Sequence, residues 1–340
     1  MRILVYGAGA VGGYLGGKLA HSGHVVGLVC RPDSADLINA QGLVIAEPGS
    51  LFNQQVSAFG SLQLAAEGFA APELIILGMK SYDLAPAMVA LAATPLRPST
   101  ILTTQNGIGI EGIVSQCTLT AGTIAGAVTI PVRREAGNHL IVDKRGRGMG
   151  LSAVDFGPTH KPVVESLATM LRVTGIATRT IADYRAMKWS IALLNSMGNA
   201  TSAILDMTPR ALYQVPAIVD LESRMLRETL AVMDRLQIPV EDLPGAPVRW
   251  LARGIRHGSY LLMRAILRRG VAGSRGDKMP SFHIDLHSGR RQNEVVFHNG
   301  AIADTGALVG VPVPVNRALN DILMQLVQGE IDPADFARRP

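Results

Sequence analysis

The sequence is short of the features that would place it in several large classes. Its 340 residues hold two cysteines, Cys30 and Cys117. That is too few for a disulfide scaffold and too isolated for a metal site, which leaves both as small buried hydrophobes. His283, His287 and His298 lack the ligand spacing of a zinc site, so no metal is expected. No stretch reaches the roughly 18 uninterrupted apolar residues of a membrane span, and an apolar strand begins directly after Met1, leaving no room for a signal peptide. These absences predict a soluble, cytoplasmic protein without a membrane partner. The net charge of +5 comes with no zinc-finger, RRM or KH pattern, so nucleic acid is not an expected partner. It does suit an enzyme that handles anionic cofactors and substrates.

The informative presence is at the start. Arg2 to Tyr6 reads as a buried strand, and it runs into Gly7-Ala-Gly9-Ala-Val-Gly12. Ala10 to Ser22 then repeats apolar positions at helical spacing until Gly23. A glycine fingerprint between a first strand and a first helix is a dinucleotide site: Gly7 permits the turn, Gly9 admits a pyrophosphate, and Gly12 lets helix and strand pack closely. The loop and first helical turn, Gly7, Ala8, Gly9, Ala10, Val11 and Gly12, are therefore candidate cofactor residues. The second strand, Val25 to Cys30, ends on Arg31, where an NAD site usually carries Asp or Glu. A guanidinium there suits the 2'-phosphate of NADP; the alternative is a solvated arginine.

With 48% hydrophobic residues, the chain can bury a large core and should form two domains. Up to residue 182, apolar strands alternate with helices; the strands fall at 74–77, 100–103, 123–130, 139–142, 148–152 and 177–181. From 183 to 340 the pattern is helical, near 184–205, 216–236, 247–269, 293–309 and 314–328. The expected fold is α/β: a Rossmann-type dinucleotide-binding domain over 1–182, then an all-α domain over 183–340. Arg249 to Lys278 holds eight Lys or Arg against one acid, which reads as a solvated basic face, an edge of a ligand cleft, or a surface for an acidic partner.

Four more segments carry polar chemistry. Met79 and Lys80 follow the strand at 74–77, and Gln105, Asn106 and Gly107 follow the strand at 100–103, where ligands of open α/β sheets bind. Asn195 and Asn199 lie four apart on one face of the 184–205 helix. Ser281, His283, Asp285 and Glu294 bring polar groups into an otherwise apolar helical stretch. Buried amides without partners are costly, so these groups imply partners.

In this order the motifs resemble the ketopantoate reductase family: a Gly-Ala-Gly-Ala-x-Gly start, an Arg ending strand two, a Lys after a later strand, a Gln-Asn-Gly loop, a helix with spaced asparagines, and a Ser-x-x-x-Asp followed by a Glu. The resemblance covers nearly the whole chain. It implies reduction of a 2-oxo acid by NADPH, with the active site in a cleft between the two domains. Carried over by position, Gly7, Gly9, Gly12, Arg31, Lys80 and Asn106 would serve the cofactor, while Asn195, Asn199, Ser281 and Glu294 would face a small carbonyl substrate. A homodimer is compatible with this reading.

One position departs from that pattern. The family's catalytic lysine lies two residues after the Trp and four before the first Asn, and here that position, after Trp189, is Ile191. General acid catalysis of this kind is worth about 10² to 10⁴ in rate. Lys188, at i−3, and His283 are alternative donors, and each also has a purely structural reading. Asn293 stands where the family usually has Thr. Two functions follow: a reductase whose substrate is another 2-oxo acid, a ketone or a protonated imine, or an NADP-binding protein that has lost efficient chemistry.

Overall fold

The structure, a computed structural model, describes residues 1–117, 122–135, 137–154, 161–268 and 277–339. The chain packs as two compact units. The first takes Met1–Asn106, Ile110–Met187 and Leu243–Ala246; the second takes Gly107–Gly109, Lys188–Asp242 and Pro247–Pro340.

Twelve strands are described: β1 (Arg2–Tyr6), β2 (Val25–Val29), β3 (Leu43–Glu47), β4 (Ser50–Gln54), β5 (Ser57–Phe59), β6 (Leu74–Leu77), β7 (Thr100–Thr103), β8 (Gly122–Val128), β9 (Val132–Arg134), β10 (His139–Val142), β11 (Gly148–Ala153) and β12 (Ala177–Thr180). Eight form one sheet, in the order β12, β11, β8, β7, β6, β1, β2, β5. Every pairing in it is parallel except β8 with β11. Ile3, Leu4 and Val5 and the whole of β6 are buried, as the strands of a parallel sheet covered on both faces must be. Chain order reverses at β1, between β2 on one side and β6 on the other. Tyr6 pairs with both Val29 and Leu77, and Leu77 with Thr103. The loops after β1, β2, β6 and β7 therefore leave one edge of the sheet at the reversal point, where open α/β sheets bind ligands.

A second sheet, in the order β4, β3, β10, β9, was largely missed in the sequence. β10 was read from its apolar run, while the equally apolar run Leu43-Val-Ile-Ala46 of β3 was passed over. In β4, Leu51 is 73% exposed, and β9 is three residues long.

The second unit is helical, as expected, with different breaks. The stretch at 184–205 is two helices, Tyr184–Ser196 and Ala200–Leu205, separated by a turn. Gly198 adopts φ +65 in that turn, a conformation that favours glycine, so Asn195 and Asn199 do not share a helix face. The stretch from 247 divides into Val248–His257 and Tyr260–Ile266, because the Ser259 hydroxyl caps a new helix by accepting from Leu262 N. Residues 269–276 of the basic tract lie outside the described residues. Pro280 to Gly300 is not one core helix but a short helix, Ser281–Leu286, a 3-10 turn, Glu294–Phe297, and the start of Asn299–Val309. No described helix is long and apolar enough to cross a membrane.

Candidate active site

The glycine turn is shaped by backbone contact. Gly7 and Ala8 both donate to Val29 O, at 3.0 and 2.9 Å, which fixes the exit of β1 against the end of β2. A Cβ on Gly7 would lie 2.5 Å from Met79 N, one on Gly12 would lie 2.3 Å from Gly7 O, and one on Gly78 would lie 2.5 Å from the same oxygen. Those three glycines are required by the protein's own packing. Gly9 differs: its Cβ would meet nothing nearer than Gly78 O at 3.8 Å. A methyl would fit there, so the protein's own packing does not require a glycine at position 9. Gly9 is also the N-cap of helix Ala10–His21 and supplies no side-chain cap. The first-turn N-H groups of Ala10, Val11 and Gly12 thus have no intrahelical partner and combine with the helix dipole. This cradle fits a dinucleotide pyrophosphate.

Beside it, Arg31 is exposed at the end of β2 and has no ion pair among the described residues. Met79 and Lys80 follow β6, half-buried, and Lys80 is already engaged within the protein. The Gln105 and Asn106 amides are not turned outward as the sequence suggested. Gln105 Nε2 donates to Leu77 O at 3.0 Å and Met79 O at 2.9 Å. Asn106 Nδ2 donates to Val128 O at 2.8 Å, and its Oδ1 accepts from Val128 N at 2.8 Å. These bonds lash the loop after β7 to the ends of β6 and β8. Gly107 packs with the second unit, where neighbouring Ile108 N donates to Phe297 O at 2.8 Å.

In the second unit the polar residues meet around the turn at 197–199. Glu222 is fully buried. It accepts from Gly198 N at 3.0 Å through both oxygens, from Thr201 Oγ1 at 2.5 Å and from Tyr213 Oη at 3.0 Å. It therefore sets the position of the turn. Sequence reading passed over it, although Glu222 occupies a core-facing position between Ile218, Val219, Met225 and Leu226 in helix Pro216–Arg235. Asn199, at the end of the turn, accepts on Oδ1 from Phe282 N at 3.1 Å and donates to Ser281 Oγ at 3.4 Å. It caps the Ser281 helix and leaves the exposed Ser281 hydroxyl with its own proton to give. Asn293 accepts from Val295 N at 3.0 Å. A Thr hydroxyl could make the same cap, so this departure from the family pattern preserves the turn that presents half-buried Glu294. The Asn195 amide is half-buried and has no partner among the described residues.

The two residues at the donor question are both in the core. Lys188 and Ile191 are each 2% exposed, and Lys188 already has a partner within the protein. His283 Nε2 lies 2.9 Å from Asp206 Oδ1 and its ring stacks on His287, which supports its structural reading. No metal-binding cluster of His, Cys, Asp or Glu occurs among the described residues.

Comparison with known proteins agrees with this architecture. Residues 3–153 match the family model "Ketopantoate reductase PanE/ApbA", and residues 183–327 match that of its C-terminal part. A 2-dehydropantoate 2-reductase of Pyrococcus horikoshii is 26% identical over 94% of this chain and 95% of its own. One from Mesorhizobium japonicum is 26% identical over 96% and 98%. Among solved structures, a PanE/ApbA family ketopantoate reductase from Ralstonia eutropha JMP134 superposes with TM-score 0.80 at 24% identity, covering 97% of this chain and 99% of that one. D-mandelate dehydrogenase, in a ternary complex with NADH and anilino(oxo)acetate, does so with TM-score 0.78 at 20% identity, covering 97% and 99%. Two family models, matched in order across both units, settle the assignment: this chain belongs to the ketopantoate reductase family.

Proposed function

We propose that the protein is an NADPH-dependent reductase of a 2-oxo acid or a related ketone. The observation that carries this is the vacant approach at Gly9, open to a ligand where its neighbouring glycines are closed by packing, with Arg31 at the end of β2. The Ala10 to Gly12 N-H groups would hold the pyrophosphate and Arg31 the 2'-phosphate, a choice of NADPH over NADH that rests on the guanidinium standing where a ribose-binding carboxylate would otherwise be. Bound there, NADPH supplies the hydride that reduces a carbonyl carbon.

The chain's own part is to orient the carbonyl compound and deliver one proton to its oxygen. The unpartnered Asn195 amide and the exposed Ser281 hydroxyl, held by Asn199, are suited to bind a carbonyl or carboxylate. Glu294 is suited to a substrate hydroxyl. The family's ammonium donor is missing at Ile191, and its loss costs about 3 to 5 kcal/mol of barrier for a ketone that must be protonated by the enzyme. Ile191 therefore favours a substrate other than ketopantoate, one that is more electrophilic or, as an iminium, already protonated.

Following NADPH oxidation over a panel of 2-oxo acids, ketones and imines tests the reading. Turnover of at least one carbonyl compound above that of ketopantoate is expected. Tight NADPH binding with no turnover across the panel would instead identify a cofactor-binding protein without the reductase chemistry.

A further inference from the structure

Adjacent arginines on β9 have separate fates because successive side chains of a strand point to opposite faces. Arg133 turns outward, where it pairs with Glu135 at 3.1 Å and Asp143 at 3.4 Å. Arg134 turns inward, and its Nη2 donates to Ala8 O, within the glycine turn itself. The same nitrogen would lie 3.7 Å from a Cβ placed on Gly13, so the guanidinium rests on the first turn of the Ala10 helix. Its Nε is covered and has no acceptor, and no carboxylate pairs with it among the described residues. Ala8 N in turn donates to Val29 O, two residues before Arg31, so Arg134 is tied to the residue that packs on the end of β2; Arg31 too has no ion pair among the described residues. Burial, the largest effect, holds the Arg134 guanidinium below its ordinary pKa; Cys30 opposes it, and Arg31, the smallest of the three, adds to it. The half-buried Arg134 guanidinium, with one covered N-H unpaired and Arg31 at the end of the strand that the glycine turn packs on, is suited to receive an anion.

We infer that Arg134 is a second arm of the nucleotide site, which closes with Arg31 on the 2'-phosphate of the adenosine ribose. Arg31 comes from the large sheet and Arg134 from the small one, so the small sheet has a recognition role. The bond to Ala8 O fixes one edge of the Arg134 fork and leaves its Nη1 N-H groups to a phosphate, as guanidinium–phosphate pairs use them. This inference rests on the proposed NADPH preference.

The test is titration of the full-length protein with NADPH, NADH, adenosine 2',5'-bisphosphate and 5'-AMP, for the parent, Arg134→Ala, Arg134→Lys and Arg31→Ala. Arg134→Ala should weaken NADPH and the bisphosphate by about 10- to 100-fold, the scale of a lost hydrogen bond to a charged group. NADH and 5'-AMP should change by less than about threefold. Arg134→Lys should fall between, since it restores the charge without the fork. The ratio of NADPH to NADH affinity within one variant separates recognition from loosening of the glycine turn, which would weaken both alike. Equal losses for both cofactors, or no loss for either, would overturn the role of Arg134 even if Arg31→Ala abolishes NADPH preference. A parent protein that binds NADH as tightly as NADPH would overturn the cofactor assignment itself and this inference with it.

Discussion

The glycine turn after β1 and the asparagine turn after helix Tyr184–Ser196, to which the proposed function gives the cofactor and the carbonyl compound, are built from opposite materials. The first is built from backbone: N-H groups, carbonyls, and glycines that keep side chains out of the way. The second is built from side chains that fix one another, with Glu222 holding Gly198 and Thr201, and Asn199 holding Ser281 and Phe282. A backbone site depends on the fold and is indifferent to most substitutions around it. A side-chain site can be altered one residue at a time, and the family's departure at Ile191 is found there.

The strongest way to break this contrast is Glu222→Ala, which strands the donors of Gly198, Thr201 and Tyr213 in the core. It should lower stability by about 4 kcal/mol; a midpoint in urea unchanged from the parent would show that the turn does not need its buried acceptor. Gly12→Ala attacks the backbone site by forcing a Cβ to 2.3 Å from Gly7 O. About 3 kcal/mol should be lost in cofactor affinity or stability, because a carbonyl cannot swing aside as a side-chain tip can. Calorimetry showing parent-like NADPH binding and melting would refute the tight packing. Arg31→Ala should cost about 2 kcal/mol of NADPH affinity and leave NADH alone, and equal losses would sever Arg31 from the 2'-phosphate.

Ile191→Lys sharpens the side-chain half. The new ammonium enters a site that is 2% exposed, so thermal stability should fall even as ketopantoate turnover rises by about tenfold or more. Unchanged turnover in a folded variant would remove residue 191 from the reacting atoms. The smallest effect expected is in Gly9→Ala. Its Cβ has room, so stability should move by less than about 0.5 kcal/mol while NADPH binding weakens. A variant that binds as the parent does would mean that nothing approaches Gly9.

How legible each region was follows from the same difference. The fingerprint, β1, β2, β6, β7 and the reversal that places their loops together are readable because continuous apolar runs and glycine spacing report backbone geometry directly. The split at Gly198 was hidden, since the flanking residues keep an apolar helical rhythm and a single positive φ leaves no other trace. The position of Asn106 after β7 was legible, whereas the bonds of both ends of its amide to Val128 depend on a strand 22 residues later. The small sheet was unread except for β10, and Arg134 with it, because a three-residue strand has no period to measure. Two cues were missed: the apolar run Leu43-Val-Ile-Ala46 of β3, and Glu222, an acid on the apolar face of an otherwise regular amphipathic helix.

One short segment bears on how such chains can be recombined. Leu243–Ala246 packs with the first unit although it lies far along the sequence of the second. Pro244 O accepts from Thr129 Oγ1 at 2.8 Å, and a Cβ on Gly245 would lie 2.0 Å from Gly146 O. The genetic boundary and the physical one therefore do not coincide. A chimera joined within helix Tyr184–Ser196, taking everything downstream from a relative, would also replace four residues in the body of the nucleotide-binding unit. Compatible parents must match at Thr129 and Gly146 as well as at the seam, and a crossover that ignores those positions would damage the half it was meant to keep intact.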